Sequence, residues 1–408
     1  MRVLVVHNAY QQAGGEDAVV RAETALLRAH GDVVASYARS NDELRRTAAP
    51  KAAIDALWST GARADVDAIC RSFQPDVIHV HNTFFVISPA IYWTAARRRI
   101  PVVQTLHNFR LICAQGTFLR DGAPCEDCLG KLPWRPVLRR CYRGSASESA
   151  LMAGVLAGHA LLGTWRDKVT RYVALSEFAR ERFIAAGLPA ERIRVKPNFV
   201  EGGPRQLPRV RHGGLFVGRL TTDKGVGVLL EALRQCGPAE VRVAGTGPLQ
   251  SLVAQQLGEA YMGFATADQV AVRMREAAFL VLPSIGHEQM PVTVLEAFAH
   301  GLPVIASRRG ALAGMVRDGA TGLLVEPESA SDLAQKMRWA LDHPDRMEDM
   351  GRAARAEYER LYTAPTNYDI LRDIYEDAIS AVQGGTPVAQ GSVDPRFVDR
   401  CVGVGRGD

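Results

Sequence analysis

Short runs of aliphatic and β-branched residues alternate with helix-periodic segments along most of this chain, and that alternation restricts the fold more than any single residue does. In the first half, strands are predicted at 2–6, 76–80, 101–106, 171–174 and 192–196, with helices at 17–30 and 177–186. A second series follows, with strands at 214–217, 240–244, 278–282, 303–306 and 322–325 and helices at 225–235, 266–277, 291–300 and 331–341. A strand, a helix and a further strand in succession imply right-handed crossovers, so the fold class is α/β with mostly parallel sheets covered on both faces.

The 408 residues suit two or three domains. The stretch 201–212, EGGPRQLPRVRH, reads as a linker. Residues 1–200 then form one Rossmann-like domain and 213–363 a second, with a cleft between the carboxyl edges of their sheets. The segment 364–382 carries a helix, amphipathic from 366 to 382, that is expected to pack back on the first domain; 383–408 reads as a loose tail. Hydrophobic residues at 47% and charged residues at 23% exclude wholesale disorder, collagen-like repeats and a simple coiled coil. A net charge of +5 is too mild for a dedicated nucleic-acid binder, and it is compatible with anionic small molecules or an acidic membrane surface. Met1 to Val6 runs into polar residues with no secretory apolar core, so the expected location is the cytoplasm. The apolar stretch 150–165 contains His159 and is shorter than the ~20 residues that span a bilayer, so it reads as a buried helix.

In open parallel sheets, function is written just after the strands. Three first-half strands finish in one dipeptide: His7-Asn8, His81-Asn82 and His107-Asn108. Groups that donate, accept and titrate near neutral pH thus gather on one rim, although each His alone could be a satisfied structural group. The loop 12–17, QAGGED, opens into a helix, and Gly14 and Gly15 permit close backbone approach to an anion. In the second half, Gly218-Arg219 ends a strand and Lys224-Gly225 opens a helix. Two cations around such a turn can hold a diphosphate without a metal; the alternative is a pair of solvated surface charges. The turn Ala244-Gly245-Thr246-Gly247-Pro248 lacks the third glycine of a dinucleotide fingerprint, since residue 250 is Gln, which weakens a dehydrogenase reading.

The segment 282–301, LPSIGHEQMPVTVLEAFAHG, is the most informative. Glu288 sits in a glycine-bearing turn, Pro291 suits a first helical turn, and Glu296 lies inside the helix. On a regular helix the two carboxylates would be about 12 Å apart, which suits two parts of one elongated ligand and not one atom. A carboxylate is also the natural acceptor for vicinal hydroxyls. A capping Glu and a solvated helical Glu are the alternative.

Taken together, Gly218-Arg219-x4-Lys224-Gly225, Pro283-Ser284, Glu288-x7-Glu296 and the strand from Gly301 to Ala306 resemble glycosyltransferase family 4, retaining enzymes of the GT-B fold, and the similarity runs from about residue 1 to about residue 380. The resemblance implies a UDP- or GDP-linked sugar as donor and a saccharide or lipid-linked saccharide as acceptor, in polysaccharide or glycolipid biosynthesis. It implies that Arg219 and Lys224 bind the diphosphate beside Gly218, that Glu296 holds the ribose, and that Glu288 holds the transferred sugar. Gly14 and Gly15 would lie against the phosphates, and His107 near the anomeric carbon. Catalysis would need no metal, because the two cations take its place. Where the family usually has Gly, an aromatic or Leu, and Pro, this chain has Gln289, Met290 and Pro291, and Pro197-Asn198-Phe199-Val200-Glu201 stands for its Pro-Asn-Gly-Val-Asp. The alternatives are a catalytically silent nucleotide- or glycan-binding subunit and a nucleotide-sugar epimerase or phosphorylase.

Cys113, Cys125, Cys128 and Cys141 lie in an insertion at 111–143 with the spacing of a four-thiolate structural zinc site; reduced thiols or a disulfide pair are the alternatives. The same insertion interleaves Lys131, Arg135, Arg139, Arg140 and Arg143 with Trp134 and Tyr142, and Arg97-Arg98-Arg99 precedes it. That pattern suits peripheral contact with an anionic membrane at its inner face, against a merely solvated surface as the alternative.

Overall fold

The computed structural model describes residues 1–11, 14–203, 211–236 and 241–384. It divides into two compact units. One comprises Met1–Gly116, Glu126–Pro197 and the C-terminal segment that begins at Asn367; the other comprises Thr117–Cys125 and Asn198–Thr366. Most of the expected linker and all but the start of the expected tail lie outside the described residues, as does residue 240 of an expected strand.

The first unit holds a six-stranded parallel sheet in the order Val33–Ser40, Arg2–Ala9, Val77–Asn82, Val102–Leu106, Arg171–Ala174, Ile193–Val195. The central strands are buried along their whole length, which is why apolar and β-branched residues predominate in them, with His79, His81, Asn82 and Gln104 as buried polar exceptions. Val33–Ser40 escapes that reading because it is an edge strand, largely part-exposed and carrying Ser36, Arg39 and Ser40. The stretch 150–165 is not one buried helix. It forms the helices Ala146–Leu161 and Thr164–Asp167, broken at Gly163 with φ +69°, and Leu161 is 86% exposed.

The helix Ala364–Gln383 belongs to the first unit from Asn367 onward. The Arg171 guanidinium donates to both Asp377 oxygens at 2.7 and 2.8 Å, Arg194 donates to Asp377 at 3.0 Å, and the Asn367 amide donates to the Pro197 carbonyl at 2.6 Å.

The second unit repeats the plan with strand order Tyr261–Gly263, Val241–Ala244, Gly214–Val217, Phe279–Leu282, Val304–Ser307, Gly322–Val325, all parallel. Its core is a cluster of Phe216, Leu229, Val243, Phe279, Val281, Ile305 and Leu333 with their neighbours. The two Rossmann-like sheets meet the α/β expectation. The helix Pro344–Leu361, absent from the sequence reading, buries Met347, Met350, Ala354, Tyr358 and Leu361 on one face. The loop expected at 111–143 also contains a short hairpin, Leu119–Arg120 with Ala123–Pro124, and the helical turn Arg135–Leu138.

Candidate functional site

In the second unit, Gly214–Val217 leads into the loop Gly218–Thr221, a 3-10 turn Thr222–Lys224 and the helix Val226–Cys236. Gly225 joins turn to helix at φ +71°, and a Cβ there would lie 1.8 Å from the Pro283 carbonyl oxygen, so only glycine fits. The glycines of the rejected fingerprint serve this loop. Gly218 N–H donates to Ala244 O and Leu220 N–H to Thr246 O, and a Cβ on Gly245 would strike Gly218 O at 1.8 Å. Their role is close backbone approach between two loops.

The turn holds Lys224 with its side chain 20% exposed, and its Nζ donates to Glu288 Oε1 at 2.6 Å. The Ser284 hydroxyl donates to the same oxygen at 2.9 Å. The backbone of Glu288 is pressed from behind by Gly310, where a Cβ would meet Glu288 O at 3.1 Å, and the Glu288 carbonyl accepts from Ala311 N–H. Arg219 behaves differently: its side chain is 72% exposed and its closest acid, Asp223, is 3.8 Å away. Of the two expected cations, Lys224 is therefore the one gathered into the cluster.

Glu288 lies outside the helix, which begins at Val292 with Pro291 as its N-cap, so Pro291 precedes the first helical turn. The uniform helical rise assumed between Glu288 and Glu296 therefore does not apply. Glu296 is part-buried, and burial raises its carboxyl above the usual range. Met290 is buried, as is Gln289, and neither amide atom of Gln289 has a hydrogen-bond partner among the described residues. Buried orphans of this kind cost stability and often await a ligand.

In the first unit the His-Asn pairs come together because their strands are neighbours. His81 Nδ1 and His107 Nε2 are 2.9 Å apart with the rings stacked, and the His7 ring lies edge-on to His81 at 6.4 Å. The asparagines do structural work. Asn8 Oδ1 accepts from Val86 and Ile87 N–H, Asn82 Nδ2 donates to Asn8 O, and Asn108 Oδ1 accepts from Arg110 N–H. Beneath the histidines, Glu23 is buried with Oε2 2.8 Å from Lys196 Nζ and Oε1 3.1 and 3.5 Å from His79 and His81. Burial opposes ionisation of Glu23, but Lys196 and then His79 outweigh it, leaving its carboxyl well below the usual range. Burial also lowers His81, and it pushes His107 down to about 3, so both imidazoles are neutral near pH 7.

Glu23, His79 and His81 bring ligand atoms within 4.8 Å of one another. Lys196 already supplies the cation that this carboxylate needs, so the group is built as an ion-pair network. Cys113, Cys128 and Cys141 belong to this first unit. Cys125 lies in the other unit.

At the start of the helix Gly15–Ala29, Gly14 is the N-cap; open space surrounds the Cβ position of both Gly14 and Gly15, and Gly14 N–H donates to Asp17 Oδ2. The sequence reading passed over their neighbour Glu16. Burial pushes its carboxyl up to about 8, with Arg110 and Tyr10 opposing. The only signal available was one acidic letter in a glycine-rich loop.

Leu132, Trp134 and Leu138 are exposed beside the basic residues of the insertion, and Arg135 lies 5.0 Å from the Trp134 ring. Among the described residues, no helix is long and apolar enough to cross a membrane.

Residues 2–198 match the family described as glycosyl transferase 4-like domain, and residues 211–343 match that described as glycosyl transferases group 1. The D-rhamnosyltransferase WbpZ of Pseudomonas aeruginosa is 36% identical over 158 residues, 37% of this chain and 41% of that protein. A phosphatidyl-myo-inositol mannosyltransferase of Mycobacterium leprae is 29% identical over 248 residues, 57% of this chain and 65% of that protein. The match thus spans less than two thirds of the length of both relatives. Among solved structures, sucrose-phosphate synthase from Thermosynechococcus elongatus superposes with TM-score 0.68 at 18% identity, covering 93% of this chain and 99% of that one. HepE from Anabaena, solved in complex with UDP, gives 0.64 at 16%, covering 92% and 100%. Two parallel six-stranded sheets, the glycine-framed lysine turn with its glutamate, and these family matches agree: the chain belongs to glycosyltransferase family 4 and has the GT-B fold.

Proposed function

We propose that the protein is a retaining hexosyltransferase that moves a sugar from a UDP- or GDP-linked donor to a saccharide or lipid-linked saccharide acceptor in polysaccharide or glycolipid assembly. The observation that carries this reading is the Lys224–Glu288–Ser284 cluster at a turn that opens a helix. An ammonium beside a helix N-terminus suits a diphosphate, and the adjoining carboxylate suits sugar hydroxyls. HepE, a structural neighbour, was solved with UDP-glucose, which favours a nucleotide-sugar donor.

In this reading Lys224, with Arg219 swinging in from solvent, neutralises the charge that develops on the departing diphosphate, and no metal takes part. The acceptor oxygen bonds to the anomeric carbon on the same face from which the nucleoside diphosphate departs as its C–O bond breaks, and the departing phosphate oxygen takes the acceptor's proton, which preserves the anomeric configuration. Gly14 and Gly15 approach the phosphates, Glu296 holds the ribose, Gln289, Met290 and Pro291 border the sugar, and His107 bonds the sugar or acceptor as a neutral imidazole. The exposed Leu132, Trp134 and Leu138 among cations support peripheral attachment to an anionic leaflet.

Thermal unfolding with a panel of UDP-, GDP- and ADP-sugars tests the donor class, since a ligand at 100 times its dissociation constant adds about 2.7 kcal/mol. NMR of the product reads the anomeric centre, and inversion would sink the retaining mechanism. Failure to release nucleoside diphosphate from any donor, with or without acceptor, would favour a silent binding subunit. Flotation with anionic vesicles at low and high salt tests attachment; no cosedimentation at low salt rejects it.

A further inference from the structure

Two buried polar atoms of the first unit face each other with no hydrogen-bond partner among the described residues: His7 Nδ1 and Glu16 Oε1, 3.9 Å apart, with both side chains 9% exposed. The gap is too long for a direct hydrogen bond. It matches the spacing of two groups that each bond one shared oxygen at about 2.8 Å.

Their neighbours fix what each atom can offer. His7 Nε2 lies 2.8 Å from Asp17 Oδ1, and the other Asp17 oxygen accepts from Gly14 N–H at 2.8 Å. The ring therefore donates through Nε2, and in its neutral form it presents a lone pair at Nδ1. Glu16 Oε2 accepts from the Tyr10 hydroxyl at 3.2 Å and the Asn108 amide at 3.4 Å. That makes Oε2 the carbonyl-like oxygen and leaves Oε1 to carry the proton of the neutral acid, the form that burial favours here. One donor thus faces one acceptor. A phosphate or carboxylate needs two donors and an ammonium needs two acceptors, whereas an alcohol accepts one hydrogen bond and donates another.

We propose that His7 and Glu16 form a hydroxyl-binding subsite, in which an alcohol group of the sugar or polyol acceptor accepts from Glu16 Oε1–H and donates to His7 Nδ1. The ligand class rests on the transferase reading above; the subsite itself rests on the paired orphan atoms.

The test is a long-range proton–nitrogen correlation spectrum of the full chain labelled with nitrogen-15 histidine, titrated with glycerol and, separately, with methyl α-glucopyranoside. The His7 Nδ1 resonance should move saturably in the wild type. It should move equally in Glu16→Gln, whose amide donates in place of the acid, and at least tenfold more weakly in Glu16→Leu. Three outcomes overturn the proposal: no shift of His7 with either polyol, a Glu16→Leu titration equal to wild type, or loss of the response in Glu16→Gln, which would mean that an ionised carboxylate does the binding. The unmoved histidine resonances of each variant report folding. Thermal shifts with UDP and GDP on the same samples separate the two readings, because a silent His7 with nucleotide stabilisation intact removes only this subsite.

Discussion

Nζ of Lys224 lies 2.6 Å from Oε1 of Glu288, 64 positions further along the chain, and Ser284 donates to the same oxygen. If this cluster is the donor site proposed above, charge and counter-charge are aligned on one point before the donor binds, and little reorganisation is left for the reaction step. Lys224→Met should lower kcat by on the order of 10²- to 10³-fold in an assay of nucleoside diphosphate release. Turnover within threefold of wild type would remove Lys224 from the donor site. Arg219→Ala should cost less, because its side chain starts in solvent and must be immobilised to contribute.

Gly225 should be irreplaceable for backbone reasons alone. With φ at +71° and the Pro283 carbonyl 1.8 Å from the Cβ position, Gly225→Ala must displace the turn that carries Lys224. Urea unfolding should show a loss of about 3 kcal/mol. An unchanged midpoint would mean that the turn is more pliable than this packing allows.

Gln289 carries a buried amide without a hydrogen-bond partner among the described residues, an arrangement that costs about 1 to 3 kcal/mol. Gln289→Ala should keep or raise the melting temperature, and it should shift the ratio of kcat/KM between hexosyl donors by tenfold or more. A lower melting temperature with unaltered donor ratios would assign the amide to packing.

Glu16 gives stability a pH slope of definite sign. Its carboxyl rises from an ordinary value of 4.5 to about 8 through burial, so across that window the folded chain keeps a proton that the unfolded chain releases. Its contribution is therefore full below 4.5 and is lost as pH climbs toward 8, at up to about 1.4 kcal/mol per pH unit. Urea unfolding of Glu16→Gln against wild type should show the variant gaining relative stability between pH 5 and 8. Parallel profiles would place an ionised carboxylate at this position.

The buried strands were legible because a strand covered on both faces is dominated by apolar residues, as Phe279–Leu282 is. Val33–Ser40 was not, since an edge strand tolerates Ser and Arg, and the polar helix Pro344–Leu361 hid a one-sided apolar face. At the candidate site, spacing around a strand-to-helix turn was enough to single out Arg219 and Lys224. It could not tell which of them turns toward Glu288, because that depends on a side-chain conformation set by residues 64 positions away. The His-Asn repeats were visible too, whereas the support under them was not. Glu23, on the helix Gly15–Ala29, meets Lys196 across 173 positions, a pairing that only the folded unit creates.

The helix Ala364–Gln383 has a consequence for how this protein is made. Asp377, the partner of Arg171 and Arg194, and Tyr375, whose hydroxyl reaches His79, follow the whole second sheet in the chain. On the ribosome, the amino-terminal sheet therefore emerges long before the residues that complete its charge pairing, and its maturation must wait for translation of the entire second sheet.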